Sequence, residues 1–222
     1  MVSSTKSFSH GFSRIVIDRI GMARIEAVIF DLGRVIVEID FTRSLFRLFQ
    51  DFEQPSQDFI QQLMEDDLIH RYNTGQIQPW EFYEAVKEKF KLEIGFEEFK
   101  DLWCDIFLPM PGMEELIREL EGKVKLGVFS NTDPLHWHHI YDTNPIMEIF
   151  TRPTLSFEIG MQKPAAESYR YAARNVDTPV GNCFYIDDLQ ENVEAARQVG
   201  MRGIQFESTA QLRNELGIRK LL

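Results

Sequence analysis

The sequence predicts an α/β protein built on an open parallel sheet and interrupted by a long helical insert. Three observations carry that expectation. Short apolar runs that stop on polar residues recur, each ahead of a helix-like segment: AVIF before Asp31, VKLGVFS ending on Ser130, and CFYI before Asp187 and Asp188. Between residues 38 and 109 the apolar period changes to three and four, and nothing there resembles a strand of the outer sheet. Outside that segment strand and helix signals alternate, the pattern of parallel sheets whose strands are buried on both faces.

The bulk properties bound the function. At 222 residues the chain can bury one large core, or one core and a smaller module, and 44% hydrophobic with 27% charged residues is ordinary for a globular protein. The formal charge of −11 argues against nucleic-acid backbones and anionic membranes as partners, since both reward a basic surface. A phosphate substrate is compatible with it, because a site can be locally positive. Cys104 and Cys183 stand in no metal-ligand spacing, which predicts free buried thiols in a reducing cytoplasm. No run approaches the length needed to span a bilayer, and no obligate protein partner is evident.

Residues 1–21 are rich in Ser and basic residues with Asp18 as their one acid. They read as a weakly structured extension, with Met22 immediately ahead of the fold as an alternative start. Core residues 22–37 then carry the first strand, Ala27 to Phe30, ending on Asp31 with Gly33 two residues on. The helical insert, residues 38–109, shows four stripes: Phe41, Leu45, Leu48 and Phe49; Phe59, Leu63 and Leu68; Trp80, Tyr83, Val86 and Phe90; and Phe96, Phe99, Trp103 and Phe107. Gly75 and Pro79 break the helices between Asn73 and Trp80. These aromatic stripes read as core-facing helix surfaces.

The core resumes over residues 110–222. Helix 113–121 leads into the strand ending on Ser130, and Asn131, Thr132, Asp133 and Pro134 form a strand-to-helix turn with Asp133 as cap and Pro134 in the first helical position. Thr154 to Ser156 is a short strand, followed by a loop that carries Lys163 and Pro164 ahead of helix AAESYRYAARN. Strand Cys183 to Ile186 stops on Asp187 and Asp188 before helix ENVEAARQVG, and Gly203 to Phe206 adds a last strand. Four polar stations therefore sit just past strand ends: Asp31, Ser130 with Asn131, Lys163, and Asp187 with Asp188. Open parallel sheets bind ligands along that edge. Together the stations offer a nucleophilic carboxylate, a hydroxyl and backbone amides for phosphate oxygens, a cation, and acids to hold a metal.

This order and context resemble the haloacid dehalogenase superfamily from about residue 24 to about residue 206. More narrowly, FDLGRVIVEIDF, SNTDPLH, GMQKP and FYIDDLQENVEAA resemble its subgroup of small α-D-glucose-1-phosphate phosphatase-like enzymes, whose helical cap follows the first motif. The resemblance implies a Rossmann-like sheet with a small cap and a Mg2+-dependent phosphatase acting on a small phosphorylated metabolite, with sugar phosphates favoured. It implies Asp31 as the nucleophile that becomes an aspartyl phosphate, and Asp31, the Gly33 carbonyl and Asp188 as oxygen ligands of Mg2+, with Asp187 beside them. Ser130 and Asn131 would hold phosphate oxygens, Lys163 would complete the cradle, and Asn192 would steady the acidic loop. One departure stands out: the superfamily's phosphatases place a second aspartate two residues after the nucleophile as the acid for the leaving oxygen, and this chain has Gly33.

Among the histidines, His136 matches a position of the subgroup's second motif and is expected to face the cleft as a phosphate-binding residue, whereas His138 and His139 read as exposed helix positions. His70 has a weaker claim. Two other functions fit part of the pattern. A 2-haloacid dehalogenase uses the same carboxylate without a metal, but has no reason to keep adjacent acids beside an anionic substrate. A non-catalytic phosphate- or metabolite-binding protein is motivated by Gly33.

Overall fold

The computed structural model describes residues 24–48 and 66–222. The expected extension of residues 1–21 and the stripe positions Phe49, Phe59 and Leu63 lie outside them. The central sheet has five parallel strands: β1 (Ala27–Phe30), β4 (Lys125–Ser130), β5 (Thr154–Leu155), β6 (Cys183–Asp187) and β7 (Arg202–Gln205), in the order β5-β4-β1-β6-β7. β1 lies at the centre, with Phe30 level with Val128 of β4 on one side and Ile186 of β6 on the other. All four residues of β1 are fully buried. Their alternation divides them, as a pleated strand requires: Val28 and Phe30 join the core on one face, Ala27 and Ile29 the core on the other.

This register brings the ends of β1, β4 and β6 to one edge, so Asp31, Ser130 and Asp187 become neighbours although some 156 residues separate the first from the last. The strand-to-helix turns form for local reasons. Asp133 caps helix α6 (Pro134–Thr143) by accepting from the His136 amide at 2.9 Å, and Pro134 opens the first turn. Ser156 begins a short helix, α7 (Ser156–Ile159), rather than ending the strand before it. The remaining core helices are α5 (Met113–Leu120), α8 (Ala166–Asn175), α9 (Gln190–Gln198) and α10 (Thr209–Ile218).

The insert enters and leaves through a two-stranded antiparallel ribbon, β2 (Val37–Ile39) with β3 (Phe107–Pro109). Between them lie α1 (Leu45–Leu48), α2 (Asp67–Asn73), α3 (Pro79–Phe90) and α4 (Phe96–Cys104). Two stripe positions differ from expectation. Phe107 belongs to the ribbon and not to a helix, because α4 stops at Cys104. Trp80 is 57% exposed, and Phe82 occupies the centre of the insert's core in its place. Phe82 stacks on Tyr72 at 4.1 Å and meets the edge of Trp103 at 5.0 Å, so the buried face of α3, which keeps Tyr83 and Val86 of the expected stripe, is turned modestly toward Phe82 and away from Trp80. The insert's core, with Ile69, Tyr83, Val86 and Phe99, is a cluster of its own.

Beyond the ribbon, described residues of the insert meet the sheet layer at several places, of which two stand out. Gly75 turns against the backbone of α7: its φ is +70°, and a Cβ there would meet the Phe157 carbonyl oxygen at 2.1 Å, so only glycine allows the approach. Nearby, His70 Nδ1 lies 2.7 Å from Gln162 Oε1. The second place is the C-terminal end of α4 against the start of α6, beside the sheet edge. Cys104 and Cys183 are free and buried, as their spacing predicted.

Candidate active site

The edge of the sheet and the underside of the insert enclose a cavity of about 320 Å3, which Asp31, Gly33, Ser130, Asn131, His136, Lys163 and Asp188 all line. The structure thus brings together every site residue expected from the sequence, with Asp187 just beneath them. At the centre is Lys163, whose ammonium is buried and bridges two carboxylates, 2.7 Å from Asp31 Oδ1 and 2.8 Å from Asp187 Oδ2. It also sits over the rings of Phe129 and Tyr185, at 5.4 and 5.9 Å.

The three acids differ in how much of each is already used. Asp187 is fully buried and takes donors on both oxygens: Lys163, the Tyr185 hydroxyl, Asn192 Nδ2 at 3.0 Å and the Leu189 amide at 2.9 Å. Asp31 takes the Leu32 amide and Lys163 on Oδ1, and no donor among the described residues reaches Oδ2. Asp188 is half-buried, with Arg34 as its charged neighbour at 3.8 Å. Carboxylate oxygens of all three lie within 4.8 Å of one another.

Such crowding leaves its mark on their protonation. Burial pushes the Asp31 carboxyl up to about 7 from an ordinary 3.8, with Asp187 adding to the rise and Lys163 opposing it. Burial and then the neighbouring Asp187 raise Asp188 as well. Lys163 and the largely exposed Arg34, the cations described beside them, do not balance three adjacent carboxylates, so the cluster carries excess negative charge. A hard divalent cation resolves that conflict, and an all-oxygen donor set is what Mg2+ prefers. The donor chemistry therefore fits this ion.

A family model for haloacid dehalogenase-like hydrolases matches residues 28–206. The chain belongs to this family. Among curated members, a sesquiterpene phosphatase, astK, from Aspergillus oryzae is 26% identical, covering 89% of this chain and 96% of its own length. A D-ribitol-5-phosphate phosphatase from Bacteroides thetaiotaomicron is 21% identical, over 87% of this chain and 98% of that one. Drimenol cyclase drtB from Aspergillus calidoustus is 22% identical over 86% of this chain, which spans 36% of the cyclase's length. The haloacid dehalogenase family enzyme bt-2542 from Bacteroides thetaiotaomicron, crystallised with magnesium and inorganic phosphate, superposes with a TM-score of 0.74 at 21% identity, over 83% of this chain and 96% of that one. This last likeness establishes the shared fold.

Within this haloacid dehalogenase-like site, the loop residues hold one another in place. The Asn131 side chain grips the backbone of Lys163, donating to its carbonyl at 3.0 Å and accepting from its amide at 2.8 Å. Ser156 does the same for Thr132. No described residue hydrogen-bonds the Ser130 hydroxyl, which lines the cavity.

His136 stands differently from expectation. Its ring lines the cavity, but both nitrogens are engaged: Nδ1 lies 2.8 Å from Asp133 Oδ2 and Nε2 lies 2.9 Å from the Trp103 carbonyl oxygen. Both partners are acceptors, so making both bonds takes a proton on each ring nitrogen. Burial opposes ionisation of Asp133, yet the charge and hydrogen bonds of His136 hold its carboxyl below the usual range. The Trp103 indole N–H completes the group at 3.2 Å from Asp133. His136 is thus a tie between the sheet and the insert.

Sequence reasoning took Asp133 for a helix cap alone and missed Arg34 and Tyr185. For Tyr185 a signal existed: it stands two residues before Asp187 on one strand, and such residues share a face. The contact of Asp133 with Trp103 spans 30 residues and left no sequence pattern.

Proposed function

We propose that this protein is a Mg2+-dependent phosphatase that hydrolyses a small phosphorylated metabolite through a phosphoenzyme on Asp31. The observation that carries the reading is the convergence of Asp31, Asp187 and Asp188 around buried Lys163 at the carboxyl edge of the sheet. The phosphatases among its relatives support the same reaction class.

In this reading Asp31 Oδ2, the oxygen that no donor among the described residues reaches, attacks phosphorus. As the bond to Asp31 forms, the bond from phosphorus to the ester oxygen breaks, and the departing oxygen takes its proton from solvent water because position 33 is glycine. Water then attacks the aspartyl phosphate, releasing inorganic phosphate and restoring the carboxylate. Lys163 keeps Asp31 oriented and supplies positive charge beside the phosphoryl oxygens. The Ser130 hydroxyl and the Asn131 amide bind those oxygens, and Asn131's side chain fixes the Lys163 loop so that cradle and nucleophile stay in register. Asp31 and Asp188, with the Gly33 carbonyl, would hold Mg2+, while Asp187, already saturated by four donors, orients Lys163 and the acidic loop. When bound, the ion neutralises charge between the carboxylates and the phosphoryl group.

The test is hydrolysis of p-nitrophenyl phosphate and of a panel of phosphorylated metabolites, with Mg2+ and with a chelator. Activity that requires Mg2+ is expected. Full activity in excess chelator removes the metal from the reading, and no hydrolysis of any phosphoester leaves a binding protein. Chloride release from a 2-haloacid would move the chemistry to carbon.

A further inference from the structure

We propose that the substrate body held by this site is apolar, so that the natural ester joins phosphate to a hydrocarbon or aromatic alcohol and not to a polyol. The inference rests on the phosphatase reading and names the class of substrate within it.

The cavity lining is of two chemical kinds. The phosphate cradle is polar, with Asp31, Ser130, Lys163 and Asp188. The ribbon, the insert and α6 contribute an apolar part of the described lining, Ile39, Phe41, Ile69, Ile106, Phe107 and Ile140. Two further wall residues have polar atoms, but those atoms are committed elsewhere. The Trp103 indole N–H points its hydrogen bond at Asp133, and both nitrogens of His136 are held by Asp133 and the Trp103 carbonyl. Their rings stack almost parallel, 5.2 Å apart at 5°, so they present carbon surface to the cavity.

Asp133 and Asn192 are committed to His136 and Asp187, which leaves Asn73, Thr132 and Arg34 as the described polar side chains of the lining outside the phosphate cradle, and Arg34 already faces Asp188. A polyol brings a hydroxyl on nearly every carbon, and each must exchange water for a protein partner or remain unpaired on burial. Three side chains among the described residues, one of them already paired, are too few for such a ligand. An apolar body needs no partners and gains from leaving water at every methylene. At about 320 Å3, the space lies at the lower end of the range for small-molecule sites and admits a medium-sized hydrocarbon body above the phosphate.

The experiment compares esters with the same primary leaving oxygen and different bodies. Steady-state kcat/KM is measured with Mg2+ for ethyl, butyl, hexyl and octyl phosphate and for ribitol 5-phosphate, with acetyl phosphate as a reference that has almost no body. Each added methylene should raise kcat/KM by about two- to fourfold until the cavity is filled, and octyl phosphate should exceed ribitol 5-phosphate by more than about tenfold. A flat alkyl series, or a faster ribitol ester, overturns the apolar body while acetyl phosphate hydrolysis keeps the phosphatase reading. If acetyl phosphate and every ester are inert, the phosphatase reading falls. Calorimetric binding of octyl phosphate against ribitol 5-phosphate to the intact protein then decides the ligand class by itself: tighter octyl phosphate supports it and tighter ribitol 5-phosphate overturns it.

Discussion

The side-chain tip of Ile39 lies 2.8 Å from the point where a Cβ on Gly33 would stand. The ribbon that leads into the insert thus fills the space beside the loop after Asp31 where a longer side chain at position 33 would begin. In the proposed reaction the leaving group then receives no proton from this position. Because Cδ1 is the movable end of Ile39, Gly33→Asp should fold with a modest loss, and Gly33→Asp with Ile39→Ala should fold better. The double variant should speed hydrolysis of ethyl phosphate relative to p-nitrophenyl phosphate by about tenfold or more, since a positioned acid helps the poorer leaving group most. An unchanged ratio of the two kcat/KM values in a folded double variant would show that the natural protein draws its acid from elsewhere.

Asp31→Asn keeps the shape of the side chain and removes the attacking oxygen. Turnover should fall by more than about a thousandfold while circular dichroism and phosphate binding persist. Acid-quenched natural enzyme should carry a phosphoryl group on the peptide containing Asp31, detectable by mass spectrometry. Substantial residual activity in Asp31→Asn would exclude it as nucleophile.

The pH dependence of stability follows from the same carboxyl group. In the metal-free protein burial holds Asp31 near 7, whereas the unfolded chain releases that proton near 3.8. Between those values the native state binds a proton that the unfolded state has lost, so the Asp31 contribution to stability falls as pH rises from about 4 to about 7. Mg2+ competes with that proton for the carboxylate. The increase in Tm on adding Mg2+ should therefore be larger at about pH 8 than at about pH 5.5. Equal increases at both pH values would mean that the ion does not bind Asp31.

Lys163 is the buried cation shared by Asp31 and Asp187. Lys163→Met should abolish turnover and lower stability by about 3–5 kcal/mol, because it leaves buried carboxylates without their partner. Adding Asp187→Asn should restore part of the Tm and none of the activity. A Lys163→Met protein as stable as the natural one would contradict the charge balance drawn from these contacts.

His136 joins Asp133 of the sheet layer to the Trp103 carbonyl of the insert. Removing it in His136→Ala should cost about 3 kcal/mol, mostly from the uncompensated Asp133, and the double variant with Asp133→Asn should recover much of that. A shift in Tm equivalent to less than about 1 kcal/mol would place the pair among weak surface contacts.

Much of the candidate site's layout was legible in the chain because it is local. A strand that ends on Asp31, one that ends on Ser130 and one that ends on Asp187 each announce themselves by a short apolar run and the polar residue that stops it, and parallel pairing then puts those ends on one edge. The Asp133 and Pro134 helix start was equally readable, since capping depends on neighbours within one turn. What the sequence could not convey were contacts between distant segments. That His136 spends both nitrogens on Asp133 and Trp103, that Ile39 crowds Gly33, and that Phe82 rather than Trp80 faces the insert's core are decided by how the insert docks and how each helix rotates to bury the most carbon surface. Periodicity gives a helix a face, but the neighbour it meets in three dimensions determines which side chains reach the site and which of their polar atoms remain free.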